Sequence, residues 1–353
     1  MLFPSCVDQS HQQEVHLIGT APPTQCFVMI ECPPPWGHSI QQAKFLPSSL
    51  QKMVGDSSYR NLGIRFFLIS NDETMAKHRM AKRLSGSVNQ GENQDENHGE
   101  NQNVDEVRWR ILIFRQPEGL TSTYQAQELW ISNLAEGAAV IRSYLAGTQS
   151  AYVGQGIPTR DIFVCTHGQR DRCCGCYGYP FYREAQQLSQ QWNIPNLRLW
   201  QISHIGGHRF APTLIDLPQG RYYGRMDLER FKLLVLQQGN WRSLFDCYRG
   251  WSLLPKPVQC LEQLLWRNQG WQWLTQSVAC DLLHVDSQQQ RWQVQFVHRD
   301  TYGLMQEWWA DIVEDVANRA EVMGSCGAER TDVVKTYQVA TLQAVGEMEK
   351  SVA

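Results

Sequence analysis

The chain has 353 residues, 42 % of them hydrophobic and 19 % charged, with a formal net charge of -3. This is globular composition, long enough for two domains, and it offers no basic surface to nucleic-acid phosphates. No apolar run reaches the length of a membrane span, and the N-terminal MLFPSCVDQS has neither a charged nor an apolar leader region, so a cytoplasmic protein with no nucleic-acid or membrane partner is expected.

In chain order, CFVMIE (26–31) reads as a strand, AKFLPSSLQKMV (43–54) as a short helix and IRFFLIS (64–70) as a second strand. Two more strands are expected over 108–116 and 123–131, followed by a helix in EGAAVIRSYLAG. The intervening segment 85–106 is rich in Asn, Gln, Glu and Gly and reads as a disordered insertion.

The second half repeats the order: a strand over 161–166, a helix over 180–193, a strand over 197–203, strands over 212–218 and 220–226, and a helix over 227–238. Each half is thus β-α-β followed by β-β-α, the order of a thioredoxin-like unit, and Ala211-Pro212 at the third strand of the second unit is a candidate cis peptide. The fold class expected is α/β, tandem thioredoxin-like units with a C-terminal α+β extension. The boundaries read as 1–155, 156–244 and 245–353, the last containing a helix after Pro257, strands over 291–300 and 301–313, and tryptophans suited to a core or interface.

Eleven cysteines are present. Cys6, Cys26, Cys32, Cys247, Cys260, Cys280 and Cys326 stand singly and read as buried or incidental thiols. The other four fall in CTHGQRDRCCGC, residues 165–176, and this density in a reducing compartment points to metal or redox chemistry.

Cys165 ends a strand, and Cys174 follows nine positions on. His204 and His208 form HIGGH at the end of the next strand of the same unit. If the two strands are parallel neighbours, their C-terminal ends bring both pairs to one edge of the sheet. Two thiolates and two imidazoles suit either tetrahedral zinc or a 2Fe–2S cluster. Gly206 and Gly207 would let the backbone wrap closely around the bound group.

Cys173-x-x-Cys176 carries the alternative of thiol-disulfide exchange, weakened if the helix starts only near Pro180. Arg170 and Asp171 could pair with each other, or Arg170 could donate toward the sulfurs. Phosphate-loop, dinucleotide, HExxH and GxSxG motifs are absent.

FVCTHGQRDRCCGCYGYPFYREA, HIGGHRFAPTLIDLPQGRYYGRM, GTAPPTQCFVMIECPPPWG and YRGWS together resemble the sucrase/ferredoxin-like family, over roughly residues 15–255. The resemblance implies a thioredoxin-like ferredoxin whose 2Fe–2S cluster is held by Cys165, Cys174, His204 and His208. It implies one-electron transfer or redox sensing, by a carrier rather than a catalyst. Zinc in an interaction protein remains the alternative. Sucrose hydrolysis is not expected, because no carboxylate pair is placed across a sugar site. Without NAD or flavin motifs the chain needs an unidentified redox protein or reductase as partner, and its Trp-rich extension would support a homodimer.

Overall fold

A computed structural model describes residues 5–87, 107–148 and 159–348. The insertion expected over 85–106 lies outside these residues apart from its first three positions, which close a helix, and the boundary between 155 and 156 also lies outside them.

The first half contains α1 (Cys6–Gln12), β1 (Cys26–Glu31), α2 (Ser48–Gly55), α3 (Ser57–Asn61), β2 (Ile64–Ser70), α4 (Asp72–Ser87), β3 (Trp109–Arg115), β4 (Gln125–Ile131) and α5 (Gly137–Leu145). The second contains β5 (Arg160–Cys165), α6 (Tyr179–Trp192), β6 (Leu197–Ile202), β7 (Leu214–Leu217), β8 (Arg221–Tyr223) and α7 (Leu228–Leu236). In both halves the first two strands run parallel, while the third and fourth add antiparallel on the far side of the first strand. The strand order of the first half, β4-β3-β1-β2, recurs in the second as β8-β7-β5-β6, so the tandem α/β architecture is present.

The halves join into one sheet, β4-β3-β1-β2-β6-β5-β7-β8-β9, where β9 is Tyr248–Trp251. The seam is the antiparallel pairing of β2 with β6 at Ile69↔Ile202 and Ser70↔Gln201, near the C-terminal ends of both strands. β1 is buried along its whole length because it is covered on both faces: Phe27 and Met29 pack into one core, Val28 and Ile30 into the other. This explains why it reads as a continuous apolar run rather than an alternating one. Ala211-Pro212 is cis.

After β9 come α8 (Val258–Gln269), β10 (Ser277–Asp286), β11 (Arg291–Arg299), β12 (Met305–Glu314), β13 (Ala320–Met323), β14 (Thr331–Val334) and β15 (Tyr337–Met348). β10, β11, β12 and β15 form an antiparallel sheet, and β13 and β14 a separate hairpin. α8 fastens the extension to the main sheet through Glu262. Its carboxylate accepts from Arg221 at 2.6 Å, Tyr248 at 2.9 Å and Trp273 at 2.6 Å, so a fully buried ion pair is held with several partners. Trp251, Trp266 and Trp273 are buried in this core, whereas Trp309 is half exposed.

Candidate metal centre

β5 and β6 are parallel neighbours with Cys165 opposite Ile202, so the chain leaves both strands side by side. From Cys165 it makes a turn and re-enters helical backbone at Arg172, and Cys174–Gly178 then forms a π-helical turn running directly into α6. The helical stretch therefore begins well before Pro180, earlier than the sequence suggested. Single π-helical turns favour functional sites because they re-aim side chains at the start or middle of a helix. Close packing of the turn on the strand end requires Gly178, since a Cβ there would lie 2.0 Å from the carbonyl oxygen of Cys165.

This arrangement brings the sulfurs of Cys165 and Cys174 and an imidazole nitrogen of His204 within 4.8 Å of one another. The Cys174 sulfur is 3.5 Å from His204 Nδ1. The Cys165 thiol is held well below the ordinary thiol range, first by its hydrogen bond with Cys174 and then by His204, against the opposing effect of burial. Cys174, on the other side of that hydrogen bond, is raised well above the range. Of the two sulfurs, Cys165 is therefore the one whose surroundings favour the thiolate, the form that binds metals.

His208 sits beside this group rather than in it. Its ring centroid is 5.8 Å from that of His204, but Nε2 contacts the carbonyl oxygen of Gly324 at 2.9 Å and Nδ1 lies 3.2 Å from an Asp171 carboxylate oxygen. The second contact lacks hydrogen-bond geometry, leaving Nδ1 buried and unsatisfied. Burial also lowers the imidazole's pKa, in opposition to Asp171, which favours the neutral ring.

The neighbouring cysteines separate. Cys173 is buried beside Cys6 and Cys326, with its sulfur 3.1 Å from that of Cys326, while Cys176 is exposed. Asp171 does not pair with Arg170. Its carboxylate accepts from the backbone N–H groups of Cys173 at 2.9 Å and Cys326 at 3.2 Å, and Arg170 instead contacts His38 Nε2 at 2.8 Å.

The two glycines of HIGGH also differ. Gly206 (φ 85°) faces open space, but Gly207 (φ 75°) folds around the Arg249 guanidinium, which donates to the carbonyl oxygens of Gly206 at 3.0 Å and Thr20 at 2.9 Å. Only one of them leaves room for a bound group. Burial brings Arg249 down to about 10.

His167 braces the site from the first half. Its Nδ1 accepts from the His204 backbone N–H at 3.2 Å, and its Nε2 lies 2.6 Å from the carbonyl oxygen of Gly37, a pairing that requires the neutral Nε2–H tautomer. The Trp-Gly that ends the Pro-rich turn was visible in the sequence, but nothing there tied it to His167. His204 lines a cleft of about 700 Å³ shared by both halves, into which Arg60, Arg65 and Arg170 also face. Among the described residues no helix is long and apolar enough to cross a membrane.

A family model described as sucrase/ferredoxin-like matches residues 17–250, more than half of the chain. The protein called "Altered inheritance of mitochondria protein 32" of Meyerozyma guilliermondii is 32 % identical over 104 residues, which cover 28 % of this chain and only 36 % of that protein. No solved structure matches.

Proposed function

This chain belongs to the sucrase/ferredoxin-like family, and from that premise we propose that its metal centre holds a 2Fe–2S cluster through which the protein passes single electrons, as carrier or redox sensor, to and from a partner redox protein in the cytosol. The observation that carries this reading is the convergence of Cys165, Cys174 and His204 within 4.8 Å. The donor chemistry fits: two soft thiolates and an imidazole, with the buried and unsatisfied Nδ1 of His208 close by as the fourth donor. When bound, such a cluster supplies reversible one-electron chemistry, at a potential above that of all-cysteine ligation because imidazoles bring less negative charge.

The surrounding residues set access and orientation. His167 holds the His204 backbone, so the imidazole is presented at a fixed point of the cleft. His204 is half-buried and faces that cleft, whereas His208 is only 7 % exposed, so the His204 side is where a partner approaches. Arg60, Arg65 and Arg170 line the cleft against a single carboxylate, Asp56, which favours a partner with an acidic face.

The test is the iron and acid-labile sulfide content of anaerobically purified protein, with an electron paramagnetic resonance spectrum after reduction. A red-brown protein with equimolar iron and sulfide is expected. A colourless protein carrying zinc and no sulfide at Cys165, Cys174 and His204 would refute the cluster and leave the interaction-protein reading.

A further inference from the structure

Cys6, Cys173 and Cys326 lie at the start, middle and end of the chain, yet their sulfurs are within 4.8 Å of one another. By contrast Cys26, Cys32 and Cys247 are buried thiols that belong to none of the thiol groups found among the described residues. We propose that Cys6, Cys173 and Cys326 form a second metal site, beside the first, which takes zinc and ties α1 and the β13–β14 hairpin to the loop between Cys165 and Cys174.

The spacing suits this. Zinc–sulfur bonds of about 2.3 Å in a tetrahedron place sulfurs about 3.8 Å apart, and the Cys173 and Cys326 sulfurs are at 3.1 Å with Cys6 inside the same limit. Small adjustments of side chains, rather than of backbone, would complete the triangle. An Asp171 oxygen groups with Cys6 and a His208 nitrogen within 4.8 Å, and the carboxylate supplies the fourth donor. The same carboxylate already orients two of the thiol-bearing residues by accepting the N–H groups of Cys173 and Cys326. Such outer hydrogen bonds, which fix ligands before the metal arrives, are a regular feature of metal sites.

Two of the three thiol-bearing segments, α1 and the β13–β14 hairpin, are delivered to this point by contacts that do not involve sulfur. α1 is capped by Ser5, whose hydroxyl pairs with Asp8, and Gln9 accepts the backbone N–H of Met323 at 2.7 Å. Arg225 reaches α1 through the carbonyl oxygen and hydroxyl of Ser10, both at 2.8 Å. The β13–β14 hairpin is fastened over HIGGH by His208 to Gly324 and by Arg209 to Asp332 at 3.0 Å. The thiols are therefore presented by a built scaffold. Binding displaces the thiol protons to solvent as zinc–sulfur bonds form, and no electrons move.

The full chain, purified without chelator, is analysed for zinc and iron together. About one zinc per chain is expected, bound by thiolate. Cys6→Ser and Cys326→Ser should each lose at least tenfold in zinc while keeping their iron, and Cys165→Ser should lose iron while keeping zinc. Zinc retained in both Cys6→Ser and Cys326→Ser would overturn the proposal while leaving the cluster reading intact, whereas zinc that disappears only with Cys165→Ser would place the zinc at the first centre and overturn both readings. Should those variants misfold, peptide mapping of alkylated wild-type protein decides: Cys6, Cys173 and Cys326 should label after chelation and be protected when zinc is restored. Equal labelling in both states, or a Cys173–Cys326 disulfide and no zinc in protein isolated under nitrogen, would overturn it as well.

Discussion

β1 and β5 hold the same place in their halves of the sheet, each between a parallel neighbour and an antiparallel one. β1 ends on Glu31 opposite Ile69, and β5 ends on Cys165 opposite Ile202. Glu31 is buried and saturated: it accepts from Thr74 at 2.7 Å, from the Arg110 backbone N–H at 2.9 Å and from Lys77 at 3.2 Å. Cys165 is equally buried, but the groups that meet it are another thiol and an imidazole. A parallel strand end collects side chains from the segments that follow it. Where those supply a hydroxyl, an ammonium and an amide, the position is a structural anchor, and where they supply a thiol and an imidazole, it is a candidate metal centre.

Exchanging the roles breaks the comparison in measurable steps. Cys165→Ser has the largest effect expected, near-complete loss of iron and sulfide with the fold kept; iron retained at wild-type level would remove Cys165 from the ligand set. Glu31→Ala should do the reverse, lowering unfolding stability by about 3 kcal/mol because its buried partners lose their acceptor, with iron per folded chain unchanged. Denaturant unfolding followed by iron analysis checks both halves of that statement.

His167→Ala removes the brace between the two halves and should weaken metal retention by roughly tenfold, as loss of an outer hydrogen bond does. Competition with a chelator measures it, and unchanged release would show that His204 is held without His167.

The isolated thiols sharpen the contrast through pH. Burial pushes Cys26 and Cys32 up to about 12, while an unfolded thiol ionises near about 8.5. Above that value the unfolded chain loses protons that the folded chain keeps, so this contribution to stability is complete below about pH 8.5 and declines as pH rises toward about 12. Urea midpoints should fall through this range, less steeply in Cys32→Ala; an equal slope would separate Cys32 from the alkaline loss. Smallest of all is Cys176→Ser, at an exposed position: a change within about 0.5 kcal/mol and unaltered iron are expected, and loss of iron would bring Cys176 back into the site.

Much of this was legible because it is local. The all-apolar CFVMIE coincides with β1, and IRFFLIS with β2. The repeated element order appears as a repeated strand order, and Cys165, Cys174 and His204 meet because β5 and β6 are parallel neighbours. α1 was missed: its seven residues are secured by the Ser5–Asp8 capping box and by contacts with segments hundreds of residues away. β10 and β15 were also missed, and while the helix expected over 180–193 matches α6, the helical backbone leading into it from Arg172 was missed because it includes a π-helical turn rather than a regular amphipathic one.

What the sequence determined by itself is that β1 to β8 form and which donor types stand at their ends, since periodicity and spacing depend on neighbouring residues. Only the tertiary structure decided how those donors are divided. Consecutive side chains on helical backbone diverge by about 100°, so adjacent Cys173 and Cys174 enter different groups, one with Cys6 and Cys326 and the other with Cys165 and His204. Cys6 and Cys326, which read as unrelated single thiols, become neighbours because α1 and the β13–β14 hairpin pack over the same loop, and no local pattern records that packing.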